Sequence, residues 1–452
     1  MAEAREALNN SPSLTIEGFQ HRFPDGRSLT LSADLRLFPG ECALVTGATG
    51  SGKTSLLYAI AGLLPGHTEG IYRDPQDSVG LAFQNPGTQL FFSDVGEELG
   101  FAPRNRGLPE PAVKSRISTY LDAVGLPGWE SRSIDGLSMG EKHRVAMAAA
   151  CSAEPVLLLL DEPFAQLDAE GAVSLRRLLR NYLQAGGTVV ISEHRPDLVA
   201  GIACCSLDLP TVDMPPLAPS IQRDPSASPT IPRTDIDIRG LRLAAPDSGR
   251  WLLRDFSWQV AGGERIHIRG PNGSGKSSLL RALVGLQEVE SGNVEVAGQA
   301  PSPAALAGRV AFLHQDPDSQ LSAPSVREEV SFAWERLPAD RRPRAGWIDC
   351  LLDSLGLAAL AQRSPLSLSF GEKHLVTLAA ALACRPRLVL LDEPFTGLDQ
   401  GRVGALCDFL LEYSRAYEST LVMASHNALP EAGWATRQFV MEDGRFLEEL
   451  QR

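Results

Sequence analysis

The sequence predicts an α/β protein in which one domain of about 200 residues occurs twice, each copy built on a parallel sheet. Three observations predict it. Blocks of residues recur along the chain at near-constant spacing, short apolar runs alternate with stretches of helical character, and a proline-rich segment separates the two series.

The recurrence comes first. Gly47-Ala48-Thr49-Gly50-Ser51-Gly52-Lys53-Thr54 returns as Gly270-Pro271-Asn272-Gly273-Ser274-Gly275-Lys276-Ser277, 223 residues on. Leu137-Ser138-Met139-Gly140-Glu141-Lys142-His143 returns as Leu368-Ser369-Phe370-Gly371-Glu372-Lys373-His374, at a spacing of 231. Leu160-Asp161-Glu162-Pro163-Phe164 returns as Leu391-Asp392-Glu393-Pro394-Phe395, also at 231, and His194 returns as His426 at 232. A spacing that drifts so little means one structural plan used twice. The growth lies between the first and second blocks, where an insertion maps to loops.

Within each copy the elements follow from periodicity. Residues 14–37 and 235–260 alternate apolar with polar positions between turn residues, as an antiparallel sheet requires. The runs 41–46, 156–160 and 188–192, and later 265–269, 388–391 and 420–424, are short and apolar, the pattern of strands buried on both faces. Residues 51–61 and 140–150 have helical character. Residues 209–234 hold seven prolines with Ser and Asp, which cannot pack a core, so they form an extended linker between domains 1–208 and 235–452. In the polyproline form this linker spans on the order of 70 Å.

Composition narrows the class. Hydrophobic residues make up 43% and charged residues 21%, enough apolar material for sizeable cores, and the net charge is −13. That balance argues against nucleic acid as a partner, because a phosphate-tracking surface needs excess Lys and Arg. No apolar run approaches the roughly 18 to 20 residues that span a bilayer. The N-terminal residues carry acids and no apolar signal core, so export is not expected. Seven scattered cysteines without a C-x-x-C pair read as reduced, buried thiols, not a zinc site. Only five residues are Lys, and Lys53, Lys142, Lys276 and Lys373 fall inside the recurring blocks.

The first block in each copy is a phosphate cradle. Its glycines let successive backbone N–H groups point inward, and the helix that follows adds its positive end. Lys53 and Lys276 then reach the β- and γ-phosphates of a nucleoside triphosphate, while the Thr54 and Ser277 hydroxyls ligate Mg²⁺. An aspartate ending an apolar strand, Asp161 or Asp392, is the usual Mg²⁺ partner of such a loop. The acid after it, Glu162 or Glu393, can polarise an attacking water. Phosphoryl transfer asks little more of a protein than positioning and charge stabilisation.

With these residues the chain resembles the ATP-binding cassette family, over almost its whole length except the linker. The resemblance implies two tandem P-loop NTPase domains. Each has an antiparallel β subdomain, a parallel-sheet nucleotide-binding core and a helical signature subdomain. It implies ATP and Mg²⁺ as cofactors and ATP hydrolysis as the activity. Leu137 to Glu141 and Leu368 to Glu372 look like the family signature, so Ser138, Gly140, Ser369 and Gly371 are expected on the γ-phosphate of ATP held by the other cassette. Gln84 and Gln315 match the Q-loop glutamine, which meets Mg²⁺. Gln166-Leu167-Asp168 and Gly397-Leu398-Asp399 match the D-loop, and His194 and His426 the switch histidine. The family pairs cassettes head to tail, so self-association of the two copies within one chain is expected.

The chain also departs from the family. The signature's first glycine is Met139 in one copy and Phe370 in the other, and its terminal Gln is Glu in both. Phe23 fits the aromatic that stacks on adenine, whereas the aligned residue in the second copy is Ala245. Arg144 becomes Leu375. Weaker nucleotide binding is therefore expected at the Lys276 site, with hydrolysis at both.

The segment from Phe83 to Phe101 is similar to the Q-loop region of the ATPases of energy-coupling-factor importers, and His314 to Leu321 follows it loosely. That likeness implies a transmembrane T component and a substrate-binding S component as partners, and a peripheral place on the cytoplasmic face of the membrane. The cargo would be a vitamin, a vitamin precursor or a metal ion. Leu90, Val95 and Phe101 are expected in the core, leaving Gln89 and Gln320 as partner contacts. The alternative is a soluble twin-cassette ATPase acting on ribosomes or nucleic acid. It is disfavoured by the short gaps from Lys53 to Ser138 and Lys276 to Ser369, the absence of zinc-ligand cysteines, the proline-rich linker and the acidic charge.

Overall fold

The computed structural model describes residues 11–23, 28–31, 33–165, 167, 169–210, 233–245, 249–344, 346–426, 428–429 and 433–449. Most of the expected linker and two of the D-loop residues, Gln166 and Asp168, lie outside them. The chain divides into two compact units, Met1–Asp213 and Met214–Arg452.

The first unit begins with β1 (Leu14–Arg22), β2 (Ser28–Thr30), β3 (Leu35–Leu37) and β4 (Cys42–Thr46). Helix α1 (Lys53–Ala61) leads to β5 (His67–Tyr72) and β6 (Val79–Ala82), then to helices α2 (Val95–Asn105), α3 (Glu110–Ala123) and α4 (Met139–Ser152). The unit ends with β7 (Leu157–Asp161), α5 (Ala169–Gln184), β8 (Thr188–Ser192) and β9 (Cys205–Asp208). One sheet is parallel, in the order β6-β7-β8-β4-β9, and the other is antiparallel about β1.

The second unit repeats the plan. It runs β10 (Thr234–Ala244), β11 (Trp251–Ala261), β12 (Arg265–Arg269), α6 (Lys276–Leu283), β13 (Ser291–Val296), α7 (Pro303–Leu306) and β14 (Val310–Leu313). Then follow α8 (Val326–Glu335), α9 (Trp347–Ser354), α10 (Phe370–Leu382), β15 (Leu388–Asp392), α11 (Gln400–Tyr417), β16 (Thr420–Ser425), β17 (Arg437–Glu442) and β18 (Arg445–Glu449). Its large sheet has the order β14-β15-β16-β12-β17-β18, parallel except for the final hairpin.

Burial explains why the central strands are apolar up to their final aspartate. Every residue of β7 and β15 is buried. Successive side chains point to opposite faces of a sheet. Leu158 and Leu160 accordingly enter the core shared with α2 to α5, whereas Leu157 and Leu159 enter the core under the antiparallel sheet. Val389 and Leu391 divide from Leu388 and Leu390 in the same way. Each buried leucine contributes about 1.5–3 kcal/mol, so a polar residue here would cost a large share of a domain's stability.

Two expectations need correction. The antiparallel sheets are not completed by the residues before β4 and β12, because β5 and β13 return from beyond the phosphate-loop helix to pair with β1 and β10. Whereas β13 alternates with Val294 and Val296 buried, nothing local marks β5, which is polar and without a buried residue and is held by ladder hydrogen bonds to β1. The thiols are free, but only Cys42, Cys151 and Cys407 are buried, and Cys204 is exposed at the turn into β9. The signature's terminal Glu has a local reason. Ser138 and Ser369 cap α4 and α10, and Glu141 and Glu372 reach back to the cap backbone N–H at 2.8 Å, a closed capping box at both helices.

Candidate functional site

Each phosphate loop joins the end of a buried strand to a helix, β4 to α1 and β12 to α6. Gly52 and Gly275 cap these helices at φ 99° and 106°, left-handed conformations that favour glycine. Lys53 and Lys276 are buried at the first helical position. Lys53 Nζ donates to the carbonyls of Gly47 at 3.0 Å and Ala48 at 3.2 Å; Lys276 Nζ donates to those of Gly270 at 2.7 Å and Pro271 at 3.0 Å. The two ammonium groups thus sit over their own loops in the same way.

The expected metal residues meet across each unit. Thr54 Oγ1 donates to Asp161 at 2.7 Å, and Ser277 Oγ to Asp392 at 3.0 Å. Burial, aided by the charge of the adjacent Glu162, pushes Asp161 up to about 6; burial does the same for Asp392 against the opposing Ser277 hydrogen bond. A buried carboxylate raised in this way is ready for a cation. Asp392 Oδ2 is buried without a hydrogen-bond partner, and so are the Ser51 and Ser274 hydroxyls of the two loops. Orphaned hydroxyls beside a cradle of backbone amides and a lysine fit phosphate oxygens, and the Asp–hydroxyl pairs fit Mg²⁺, so the residues present suit Mg-ATP.

The two acids that follow share an unusual backbone. Glu162 and Glu393 lie at φ 48° and 49°, a region that costs a residue with a Cβ about 1–2 kcal/mol. Such strain aims each side chain at the neighbouring strand end. Glu162 Oε1 meets His194 Nε2 at 2.9 Å, and Glu393 Oε2 meets His426 Nδ1 at 3.0 Å. Burial pushes Glu162 up, but the His194 hydrogen bond and charge, with Lys53 and Gln84, outweigh it and hold the carboxyl below its ordinary range. An ionised acid paired with histidine can orient a water and take its proton.

The amide of Gln84 donates to Glu162 Oε2 at 2.7 Å. Among the described residues no such bond joins Gln315 to Glu393, and Gln315 presents its backbone to the buried His374. His194 Nε2 also lies 3.2 Å from Lys53 Nζ. Phe23 is half-buried and edge-on to His21, ring centroids 4.6 Å apart, while Ala245 packs against the second unit's core. Ser138 and Ser369 stand at helix N-termini with Gly140 and Gly371 buried in the first turn.

Sequence reasoning missed three groups here. Ser192 Oγ donates to Asp161 Oδ1 at 2.5 Å and accepts from the Glu162 amide at 3.1 Å, bracing both acids. Glu193, next to His194, is buried, and His267 from β12 is bound to Ser425. The adjacency of Glu193 to the switch histidine was the one signal in the sequence. Gln89 and Gln320 bond their own loops, Gln320 from an exposed position: Gln89 accepts from the Phe83 amide at 3.0 Å and Gln320 from the His314 amide at 2.9 Å. Val95 is core as expected and Leu90 packs against it, but Phe101 is 41% exposed.

The sequence profile of the ABC transporter family matches residues 31–165 and 253–396, one stretch around each site. The chain belongs to the ABC transporter family. It is an ATP-binding protein and an ATPase with tandem cassettes. A Treponema denticola protein described as a putative ABC transporter ATP-binding protein is 29% identical, over 92% of this chain and 92% of that protein. One from Methanosarcina mazei with the same description is 27% identical, over 97% of this chain and 89% of that protein. Among solved structures, an RNase-L inhibitor matches with a TM-score of 0.57 at 21% identity, covering 95% of this chain and 89% of that chain, a likeness of fold alone.

Proposed function

We propose that this cassette ATPase is the energy-coupling subunit of an energy-coupling-factor importer, powering uptake of a vitamin, vitamin precursor or metal ion through separate T and S membrane components. It would work at the cytoplasmic face of the membrane as a peripheral subunit; among the described residues no helix is long and apolar enough to cross a bilayer. Cassettes 1–208 and 235–452 act as a head-to-tail pair. ATP on Lys53 and Glu162 meets Ser369 and Gly371, and ATP on Lys276 and Glu393 meets Ser138 and Gly140. Mg²⁺ is held by Thr54 and Asp161, or Ser277 and Asp392, with Gln84 and Gln315 moving to it when nucleotide binds.

One observation carries the membrane-partner reading. Phe91, Phe92 and Phe101 form an aromatic cluster with centroids 4.6 to 5.4 Å apart, and Phe91 is 65% exposed. The buried Glu98 clamps their loop by accepting from the amides of Phe91 and Phe92, both at 3.0 Å. An exposed apolar cluster on a fixed loop suits a protein partner better than water. It begins seven residues after Gln84, which bonds the acid of the site.

Tagging the chain in its own cell and identifying what co-purifies from mildly solubilised membranes tests this reading. Two small polytopic membrane proteins are expected, with recovery reduced in a Phe91→Ser, Phe101→Ser variant whose ATP turnover is unchanged. Recovery of ribosomes or nucleic acid instead would overturn the importer and leave the ATPase standing.

A further inference from the structure

In the first unit the residue ahead of the switch histidine is a buried acid. Glu193 is 4% exposed. Its Oε1 accepts from the backbone N–H of His194 at 2.9 Å and of Arg195 at 3.3 Å, and its own N–H donates to the Val45 carbonyl at 3.1 Å. Its Oε2 is buried with no hydrogen-bond partner. Burial, then the charge of Glu162, pushes this carboxyl up to about 7. Such a group is costly to keep, because a buried polar atom left unpaired costs about 1–3 kcal/mol.

The second unit is built differently at the same place. Ser425 precedes His426, and its hydroxyl shares a 2.8 Å hydrogen bond with Nε2 of His267 from β12. At the matching place in β4 the first unit has the core residue Leu44. The two rings also meet their acids through different nitrogens, His194 by Nε2 and His426 by Nδ1. In the first site the Nε2 atom lies 2.9 Å from Glu162 Oε1 and 3.2 Å from Lys53 Nζ. One nitrogen can donate to the carboxylate or accept from the ammonium, but not both at once.

We propose that Glu193 is a positioning residue of the first ATP site, gripping the amides of His194 and Arg195 and so fixing the imidazole between Glu162 and Lys53, with a carboxylate where the second unit has Ser425. The proposal rests on the reading of Glu162 and His194 as a hydrolytic pair. It places a buried carboxylate behind the first histidine where the second unit has a serine bonded to His267, although both sites share the phosphate-loop lysine and the acid after the strand. Removing the grip affects the chemical step, because the Glu193 carboxylate bonds the amides at His194 and not those of the phosphate loop.

The test is steady-state ATP hydrolysis by the full chain in a Glu393→Gln background, which silences the second site. Glu193→Ala is expected to lower kcat about tenfold while KM for ATP moves less than about twofold. Glu193→Gln keeps a carbonyl oxygen for the two amides and should restore kcat to within about threefold of the parent. Glu193→Ser, carrying the second site's side chain, should behave as Glu193→Ala and serves if the alanine variant does not fold. Parent-like turnover in the Ala and Ser variants, a parallel rise in KM, or a Gln variant as slow as Ala would each overturn the positioning role. If Glu162→Gln in this background retained the parent rate, the hydrolytic-pair reading would fall, and the proposal with it.

Discussion

Gln84 donates from Nε2 to Oε2 of Glu162 at 2.7 Å, and the same acid meets Nε2 of His194 through its other oxygen at 2.9 Å. Both oxygens of Glu162 are thus held, one from the loop that leads to the exposed aromatic cluster and one from the end of β8. The same stretch of chain thus carries both the residue bonded to the acid of the ATP site and the exposed Phe91. Among the described residues the second unit has no Gln315–Glu393 counterpart, so the two sites stand in unequal contact with their Q-loops.

Removing that bond should separate the sites. Gln84→Ala is expected to lower first-site turnover about tenfold with ATP affinity nearly kept. Gln315→Ala should cost the second site less than Gln84→Ala costs the first. ATPase assays in Glu393→Gln and Glu162→Gln backgrounds read the two separately.

Glu162→Gln and Glu393→Gln should each keep nucleotide binding and lower hydrolysis at its own site by about 10²- to 10⁴-fold, the range for losing a general base. The double variant should bind ATP and not turn it over. Retained turnover in the double variant would assign the water-activating role elsewhere.

The buried carboxyl of Glu193 predicts a pH-dependent stability. Its folded value, about 7, lies above the 4.5 of the unfolded chain. The neutral form is favoured on folding, so this contribution is complete below about 4.5 and is lost as pH rises through 7. Glu193→Gln cannot ionise. Its first unit should be more stable than the parent's by up to about 3 kcal/mol at pH 8, the advantage fading as pH falls to 5. Calorimetric midpoints of the nucleotide-free chain at the two pH values check this. Equal midpoint differences at both would show that Glu193 does not titrate in that window.

Nucleotide affinity should also differ. A stack of Phe23 on the base, which Ala245 could not make in the second site, would contribute about 0.5–1.5 kcal/mol. Fluorescent-nucleotide titration should find Lys53→Ala, which leaves the Lys276 site, binding about 2- to 10-fold more weakly than Lys276→Ala. Equal affinities would mean that another group replaces Phe23 in the second site.

Much of this is legible in the order of residues. Phosphate loops, strand-end acids and signature serines are local motifs, each needing only a strand or helix at the right place. Unbroken apolar character was enough to place the central strands: Leu157 to Leu160 had to be covered on both faces, and they are. The repeat then assigned the same parts to the second unit, and the serine and glutamate of each signature already contained the capping box that holds α4 and α10.

What the sequence could not decide is which atoms meet. Gln84 and Glu162 are separated by 78 positions, yet their hydrogen bond depends on the left-handed backbone of Glu162 and on the β6–β7 register that places both at one sheet edge. Phe101 has the pattern of a core residue, but α2 turns it out to join Phe91 and Phe92. The strand β5 has no apolar rhythm and exists because β1 offers it a ladder. Glu193 and Ser425 differ by one residue type in sequence and by a whole hydrogen-bond network in space, since what lies behind each is set by β4 and β12 and not by neighbours in the chain. Local chemistry is fixed by adjacent residues, whereas burial and partner choice come from packing between segments that are far apart along the chain, and only the tertiary structure brings those together.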